Sequence, residues 1–304
     1  MTTETTETTE TPARAEPRAA SQSRVAPVRL PSSGLRHNLR AVRVVWQREM
    51  IRFGTDRARM VSSLVQPLLF LFVLGTGLAG LVDTGPGGAD FRTFLFPGVI
   101  ATSVTFSAAF SGISLVWDRE FGFLREMLVA PIRTWAVITG KCLGGATTAT
   151  IQSAVLLVLA GLVGVPYDPL LLLELALLMF TASFLVTALG TVLAGRVRHI
   201  QGAMPLVQLV ITPMMFASGA LFPLAGLPAW LAVATRLNPF TYAVEPMRAA
   251  VLDHLHLSPA ARRVIGPGID WFGWHVPVGA QVALVLAASA VALAVAVARF
   301  DRTE

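Results

Sequence analysis

Residues of the types that do chemistry are sparse in this chain, and their spacing argues against a catalytic centre. His254 and His256 stand two apart, which on a helix turns them to different faces, and no set of acidic or Cys partners completes a metal site around them. The single cysteine, Cys142, lies inside an apolar segment, so an intrachain disulfide is excluded. Gly140-Lys141-Cys142 resembles the end of a phosphate-binding loop, but it lacks both the upstream glycine at the needed spacing and the hydroxyl that would meet magnesium. No Gly-x-Ser-x-Gly elbow occurs, and no pair of carboxylates lies within the apolar segments. Charge inside such a segment is costly and therefore a mark of function. Only Glu174 qualifies, and its place soon after Pro169 puts it at the positive end of a helix dipole, as a capped carboxylate. Glu245 and Arg248 are three apart on one helical face and read as a pair, a structural staple or an outer gate.

The segments that must carry these residues are apolar blocks. Of 304 residues, 54% are hydrophobic and 14% charged, against about 25% charged in an ordinary soluble domain. The blocks run to roughly 20 residues, enough to cross about 30 Å of hydrocarbon at 1.5 Å per residue. Six spans are predicted, at about 61–81, 94–116, 136–163, 170–194, 203–223 and 277–299. The fold class read from this pattern is an all-α polytopic membrane protein. The net charge of +6 does not indicate nucleic acid, because the arginines flank the apolar blocks, where anionic lipid explains them.

Orientation follows from those arginines, since positive charge is retained on the cytoplasmic side. Arg48, Arg52, Arg57 and Arg59 precede the first span; Arg119, Arg125, Arg133 and Lys141 lie between spans two and three; Arg196 and Arg198 lie between spans four and five. Arg299 and Arg302 follow the last span, so both termini are expected in the cytoplasm of a cell with this protein in its inner (plasma) membrane. Residues 1–33, a Thr/Glu repeat and an Ala/Arg/Pro/Ser stretch, are expected to be a disordered tail without the features of a signal peptide. Residues 34–59 carry an apolar stripe (Leu35, Leu39, Val42, Trp46, Met50, Phe53) beside Arg36, Arg40 and Arg43, the pattern of an amphipathic interfacial helix. The membrane domain then occupies 60–304. Within it, two short helices at about 224–255, broken at Asn238-Pro239, are expected to form a re-entrant hairpin on the outer side.

One cytoplasmic stretch carries a recognition pattern. From Trp117 to Pro131, Phe121, Leu124 and Leu128 share one face and charged residues fill the other, with Asp118 as N-cap and Pro131 as the stop. Such a helix, at about 118–130, either docks into a groove on a soluble partner or lies on the bilayer. Within the spans, Ser107 and Ser111 together with Gln208, Thr212, Met215 and Phe216 suit a pliable surface for an amphipathic substrate. The hydroxyls serve helix packing equally well. Gly140 and Gly144 mark a close helix contact.

The stretch Arg119-Glu120-Phe121-Gly122-Phe123-Leu124-Arg125-Glu126-Met127-Leu128-Val129-Ala130-Pro131 resembles the coupling helix of the permease subunits of type 2 ABC exporters, especially the daunorubicin-resistance-like group. Gln66-Pro67 is similar to that family's first-helix signature. Phe222-Pro223, Leu227-Pro228 and Leu237-Asn238-Pro239-Phe240-Thr241-Tyr242, with Glu245 and Arg248, resemble its outer hairpin. The resemblance spans about residues 35–300. It implies that Arg119, Glu120, Phe121, Phe123, Leu124, Arg125, Glu126 and Leu128 meet an ATPase. It implies two permease copies forming a homodimer, with two ATPase subunits that bind ATP and magnesium while this chain binds no cofactor. The cargo expected first is an amphipathic drug or antibiotic-like compound, with a lipid-linked glycan as the alternative. An ion-coupled secondary transporter is disfavoured by the lack of buried ionisable groups and inverted repeats.

Overall fold

The structure is a computed structural model and describes residues 34–77, 91–122, 132–197, 199–222, 224, 227–255, 268–271 and 273–301; the side chain of Arg59 is not described. Helix α1 (Leu35–Thr55) leads into α2 (Arg57–Leu69), which is extended by a π-helical stretch, Phe70–Leu74, and a last turn, Gly75–Gly77. Then follow α3 (Phe91–Glu120), α4 (Thr134–Ala154, prolonged as a 3₁₀ helix over Val155–Val163), α5 (Pro169–Ala194) and α6 (Ile200–Phe216). Two short helices, α7 (Ala229–Leu237) and α8 (Thr241–Asp253), precede a small antiparallel pair, β1 (Asp270–Trp271) and β2 (Trp274–His275), and the closing helix α9 (Val278–Asp301).

Among the described residues, five helices are long and apolar enough to cross a membrane: Met60–Gly77, Phe91–Glu120, Thr134–Val163, Pro169–Ala194 and Val278–Asp301. This corrects the expectation of six. The segment predicted at 203–223 is helical only over Ile200–Phe216, 17 residues, about 26 Å at the α-helical rise and short of the hydrocarbon thickness. Pro205 and Pro213 lie inside it, each removing one ladder hydrogen bond. Beyond Phe216 the chain turns through Ala217–Gly219, with Gly219 at φ +73°. Apolar composition continues to Phe222, and that continuity is what the sequence pattern counted as helix.

The expected re-entrant hairpin is corrected as well. Both short helices exist, but they do not pack along one another as two arms would. Helix α7 buries only Thr235, and leaves Trp230 and Leu237 exposed. Helix α8 is buried along most of its length against α5, α9 and α3. Pro239 removes a donor at the break, and Asn238 in extended conformation turns the chain away from α7.

Helices α3 and α5 form the centre of the bundle, with α4, α8 and α9 around them. The most hydrophobic window of α3 is 83% buried, whereas that of the first span is 17% buried and that of the last 28%. The outer helices thus leave apolar side chains such as Val61, Leu209 and Val291 uncovered by this chain. Both ends of the bundle are tied. At one end Asn38 of α1 accepts from the Arg133 amide at the start of α4 (3.2 Å), and Arg119 of α3 lies over the Phe300 ring of α9 (4.9 Å). At the other, Thr93 donates to the Val163 carbonyl (2.6 Å).

Helix α1 lies along α4, and glycine makes the approach possible. A Cβ on Gly140 would sit 2.8 Å from the Val45 Cβ, and one on Gly144 would sit 2.7 Å from the Glu49 Cβ. The face turned to the bundle carries Asn38, Val45 and Glu49, which leaves Leu35, Leu39 and Ile51 exposed. Gly144→Val is expected to push α1 off α4 at a cost of about 1–3 kcal/mol, the usual penalty of overpacking. Thermal unfolding of the purified protein should show a lowered midpoint, and an unchanged midpoint would show that α1 is not held there.

Candidate functional site

The head of the stretch predicted to dock a partner belongs to α3. Asp118, expected as an N-cap, is inside the last turn of that helix and 2% exposed. Glu120 is its final residue, and Phe121 and Gly122 form a turn in which Gly122 takes φ +81°. Phe121 is 63% exposed, its ring 6.1 Å from that of Trp117. Glu120 Oε2 accepts from the Ile200 amide at 2.8 Å and so caps α6, whose own N-cap residue, His199, makes no side-chain cap. Arg119 reaches the Val197 carbonyl at 3.5 Å. The end of α3 is thus tied directly to the α5–α6 loop and to α9. Phe123, Leu124, Arg125, Glu126 and Leu128 lie outside the described residues.

Behind that turn is a buried charge cluster that sequence reasoning missed. Lys141 Nζ, on α4, pairs with Asp118 Oδ2 and lies 2.9 Å from Glu49 Oε1 of α1. It also donates to Ser114 Oγ at 3.3 Å. Arg48 and Arg52 of α1 approach Asp118 Oδ1 at 3.4 and 3.9 Å from the rim. Three cations face two carboxylates, and the three buried members come from three different helices. Moving such ions out of water costs several kcal/mol each, which only close pairing repays. The cluster therefore holds α1, α3 and α4 in one arrangement. The available signals were the sole lysine of the chain inside an apolar block and Glu49 seven residues before Asp56 on an otherwise basic helix.

The six residues predicted to line a path fall in different places. Ser107 donates to Gln152 Oε1 at 3.1 Å and lines a cleft of about 270 Å³ between the first span, α3 and α4. The other polar walls of that cleft are Ser62, Ser63, Gln66, Ser103 and Gln152, with Phe106 and Phe110. On another face of the first span, Leu64, Leu68 and Phe72 face Val155, Leu156 and Leu159 across a purely apolar groove of about 430 Å³. Ser111 donates to the Ser107 carbonyl (3.2 Å) and lines a smaller cavity toward Glu49 and Arg52. Gln208 and Thr212 border a separate groove of only about 30 Å³ beside Phe106 and Phe110. Met215 is buried and Phe216 is half exposed. Gln66, Gln152, Ser62 and Ser63 were not picked as path residues, because alternation of polar residues along one helix does not reveal which face of another helix meets them.

Glu245 and Arg248 are brought together at 3.2 Å, both buried. Burial pushes the Glu245 carboxyl above its ordinary range, and the facing guanidinium opposes that shift. Arg248 Nη2 also donates to the Gly219 carbonyl (2.6 Å), and the guanidinium lies 4.7 Å over the Phe94 ring. Close by, a Cβ on Gly98 would fall 1.6 Å from the Ala220 carbonyl oxygen. Arg248 thereby pins α8 to the turn that ends α6 and to α3. Glu174 is half-buried in the second turn of α5, whose cap is Asp168, accepting from the Leu170 amide at 2.8 Å. His254 Nε2 lies 3.8 Å from Asp168 Oδ2, and His256 lies outside the described residues. Among the described residues, no group of three or more His, Cys, Asp or Glu side chains could hold a metal ion.

A bundle of membrane-crossing helices, with a polar cleft inside it and an exposed turn tied to three helices at one end, defines a transport protein. The chain belongs to the ABC-2 type transporter family, which matches residues 40–252. It is 30% identical to nodulation protein J of Rhizobium leguminosarum bv. trifolii over 69% of this chain and 80% of that protein. It is likewise 30% identical to the putative transport permease ycf38 of Porphyra purpurea (69% and 73% of the two chains) and 31% identical to that of Pyropia yezoensis (69% and 70%). It is therefore the permease subunit of an ABC exporter, a multi-pass membrane protein that moves a substrate with a partner ATPase.

Lys141→Met should leave Glu49 without its cation and Asp118 with only the rim arginines Arg48 and Arg52, and destabilise the protein by about 3–5 kcal/mol. Adding Glu49→Gln and Asp118→Asn to it should restore much of that loss, as read from thermal unfolding midpoints of the single and triple variants. Equal midpoints for Lys141→Met and the parent would mean the cluster contributes nothing.

Proposed function

We propose that this permease exports a lipid-linked glycan, an amphipath with a polyhydroxylated head and a hydrocarbon tail. The observation that carries this reading is the pairing of two cavities on the first span. Six of the eight residues bordering the first cleft are Ser or Gln, a donor and acceptor density suited to sugar hydroxyls. The second groove is lined by Leu, Val and Phe alone and offers an acyl chain the same environment as the bilayer. A compact hydrophobic drug would use the second alone and draw nothing from the hydroxyl and amide groups of the first. The groove at Gln208 and Thr212, at about 30 Å³, is far below the roughly 300–1,000 Å³ of drug-sized sites.

The end of the bundle with Glu120, Arg133 and Phe300 is the cytoplasmic one in this reading, in the inner membrane of a bacterial cell. The segment from Phe121 to Leu128 is the coupling element, and the ATPase seated on it binds ATP and magnesium. Two copies pair, each with one ATPase. The apolar side chains left uncovered on the first span and α6, among them Val61, Leu209 and Phe216, support such pairing. The interfacial role of residues 34–59 is supported by the exposed Leu35 and Leu39 beside Arg36 and Arg40.

Deleting Phe121 to Leu128 is expected to abolish capture of the ATPase by affinity-tagged permease while membrane insertion persists; undiminished capture would count against the coupling role. Gln66→Leu with Ser107→Ala is expected to slow ATP-dependent movement of a lipid-linked oligosaccharide in proteoliposomes roughly tenfold, the worth of one or two lost hydrogen bonds. Undiminished glycan movement, or ATP-driven movement of hydrophobic antibiotics instead, would overturn the cargo assignment.

A further inference from the structure

On the face opposite the coupling turn, a second pocket of about 180 Å³ lies between α7, the start of α8 and β1. Its walls include Leu227, Thr235, Arg236, Thr241, Ile269 and Asp270. Thr241 is 1% exposed, and its Oγ1 has no hydrogen-bond partner among the described residues. A buried hydroxyl without a partner is rare in folded proteins and invites a ligand group to complete it.

The walls are fastened to each other. Trp271 Nε1 donates to the Tyr242 hydroxyl at 2.7 Å, and that hydroxyl donates to the Arg236 carbonyl, also at 2.7 Å. One chain of bonds thus links β1, α8 and α7. The Val276 amide donates to the Ile269 carbonyl (3.0 Å), holding the strand that carries Asp270. Pre-formed walls lower the ordering cost of binding.

We propose that this pocket binds a single sugar ring of the exported head group on the release side. Size, charge and polarity point to that occupant. The volume is below that of drug-sized sites and suits one ring. Arg236 supplies a cation and Asp270 a carboxylate, held at 3.1 Å by His275 Nδ1, so the pocket favours a neutral polyhydroxylated group over a bare anion, which the carboxylate would repel. Leu227 and Ile269 offer an apolar surface to the face of a ring, while Thr241, Arg236 and Asp270 offer bonds to its rim. The site deepens the glycan reading and rests on it for the identity of the cargo.

The test uses the full chain in lipid nanodiscs, with D-glucose, D-mannose, N-acetyl-D-glucosamine and inorganic phosphate as separate probes. Saturation-transfer NMR is expected to show binding of at least one sugar, weakened roughly tenfold by Thr241→Val and restored by Thr241→Ser. Asp270→Asn should weaken the same sugar. Binding of none of the sugars, equal binding by Thr241→Val, or binding of phosphate in their place would overturn the assignment. Movement of a lipid-linked oligosaccharide in proteoliposomes, measured in parallel, separates the two readings. Glycan movement without sugar binding removes this pocket alone, and sugar binding without glycan movement removes the cargo assignment while the pocket stands.

Discussion

Lys141 holds a positive charge in a place with almost no water, and it does so because Asp118 and Glu49 meet it from two other helices. A buried ion left without its partner is costly, so each of the three depends on the others. Much of that end of the bundle depends on that mutual need. It fixes where α1 lies on α4, which Gly140 and Gly144 then permit at van der Waals distance. It also fixes the last turn of α3, one residue before Arg119 and two before Glu120. Those two residues hold the α5–α6 loop and the α6 N-terminus.

The same economy of charge operates at the opposite end. Arg248 is buried against Glu245, two backbone carbonyls and an aromatic face. It replaces the hydrogen bonds that the irregular turn after α6 cannot supply to its own carbonyls. A turn within a membrane protein needs such a partner, because hydrocarbon offers its backbone none. The two ends are therefore built alike, with ionic groups where helices stop and apolar packing of α3 on α5 between them. Helix α3 runs from one cluster to the other as a single helix.

The apolar blocks were legible because hydropathy is local and needs only neighbours in the chain. The five long spans and the close contact at Gly140 and Gly144 follow from that information. Counting α6 as a sixth span failed because apolar composition runs past the point where Pro205, Pro213 and Gly219 end the helix. The hairpin failed because Pro239 was read as a bend between two paired arms. In the fold, α8 finds α5 and α9 as partners, a choice made by residues far away in the chain.

The sequence by itself determined the class of the protein, five of its membrane segments and the family to which it belongs, since burial in lipid imposes a length and a polarity on every helix. Only the tertiary structure decided which polar residues meet. Ser62, Gln66, Ser107 and Gln152 line one cleft, Gln208 and Thr212 face another, and Glu49, Asp118 and Lys141 form one cluster from three helices. The physical reason is that a polar side chain in an apolar helix must find a partner, but the rotation and crossing of neighbouring helices choose which one.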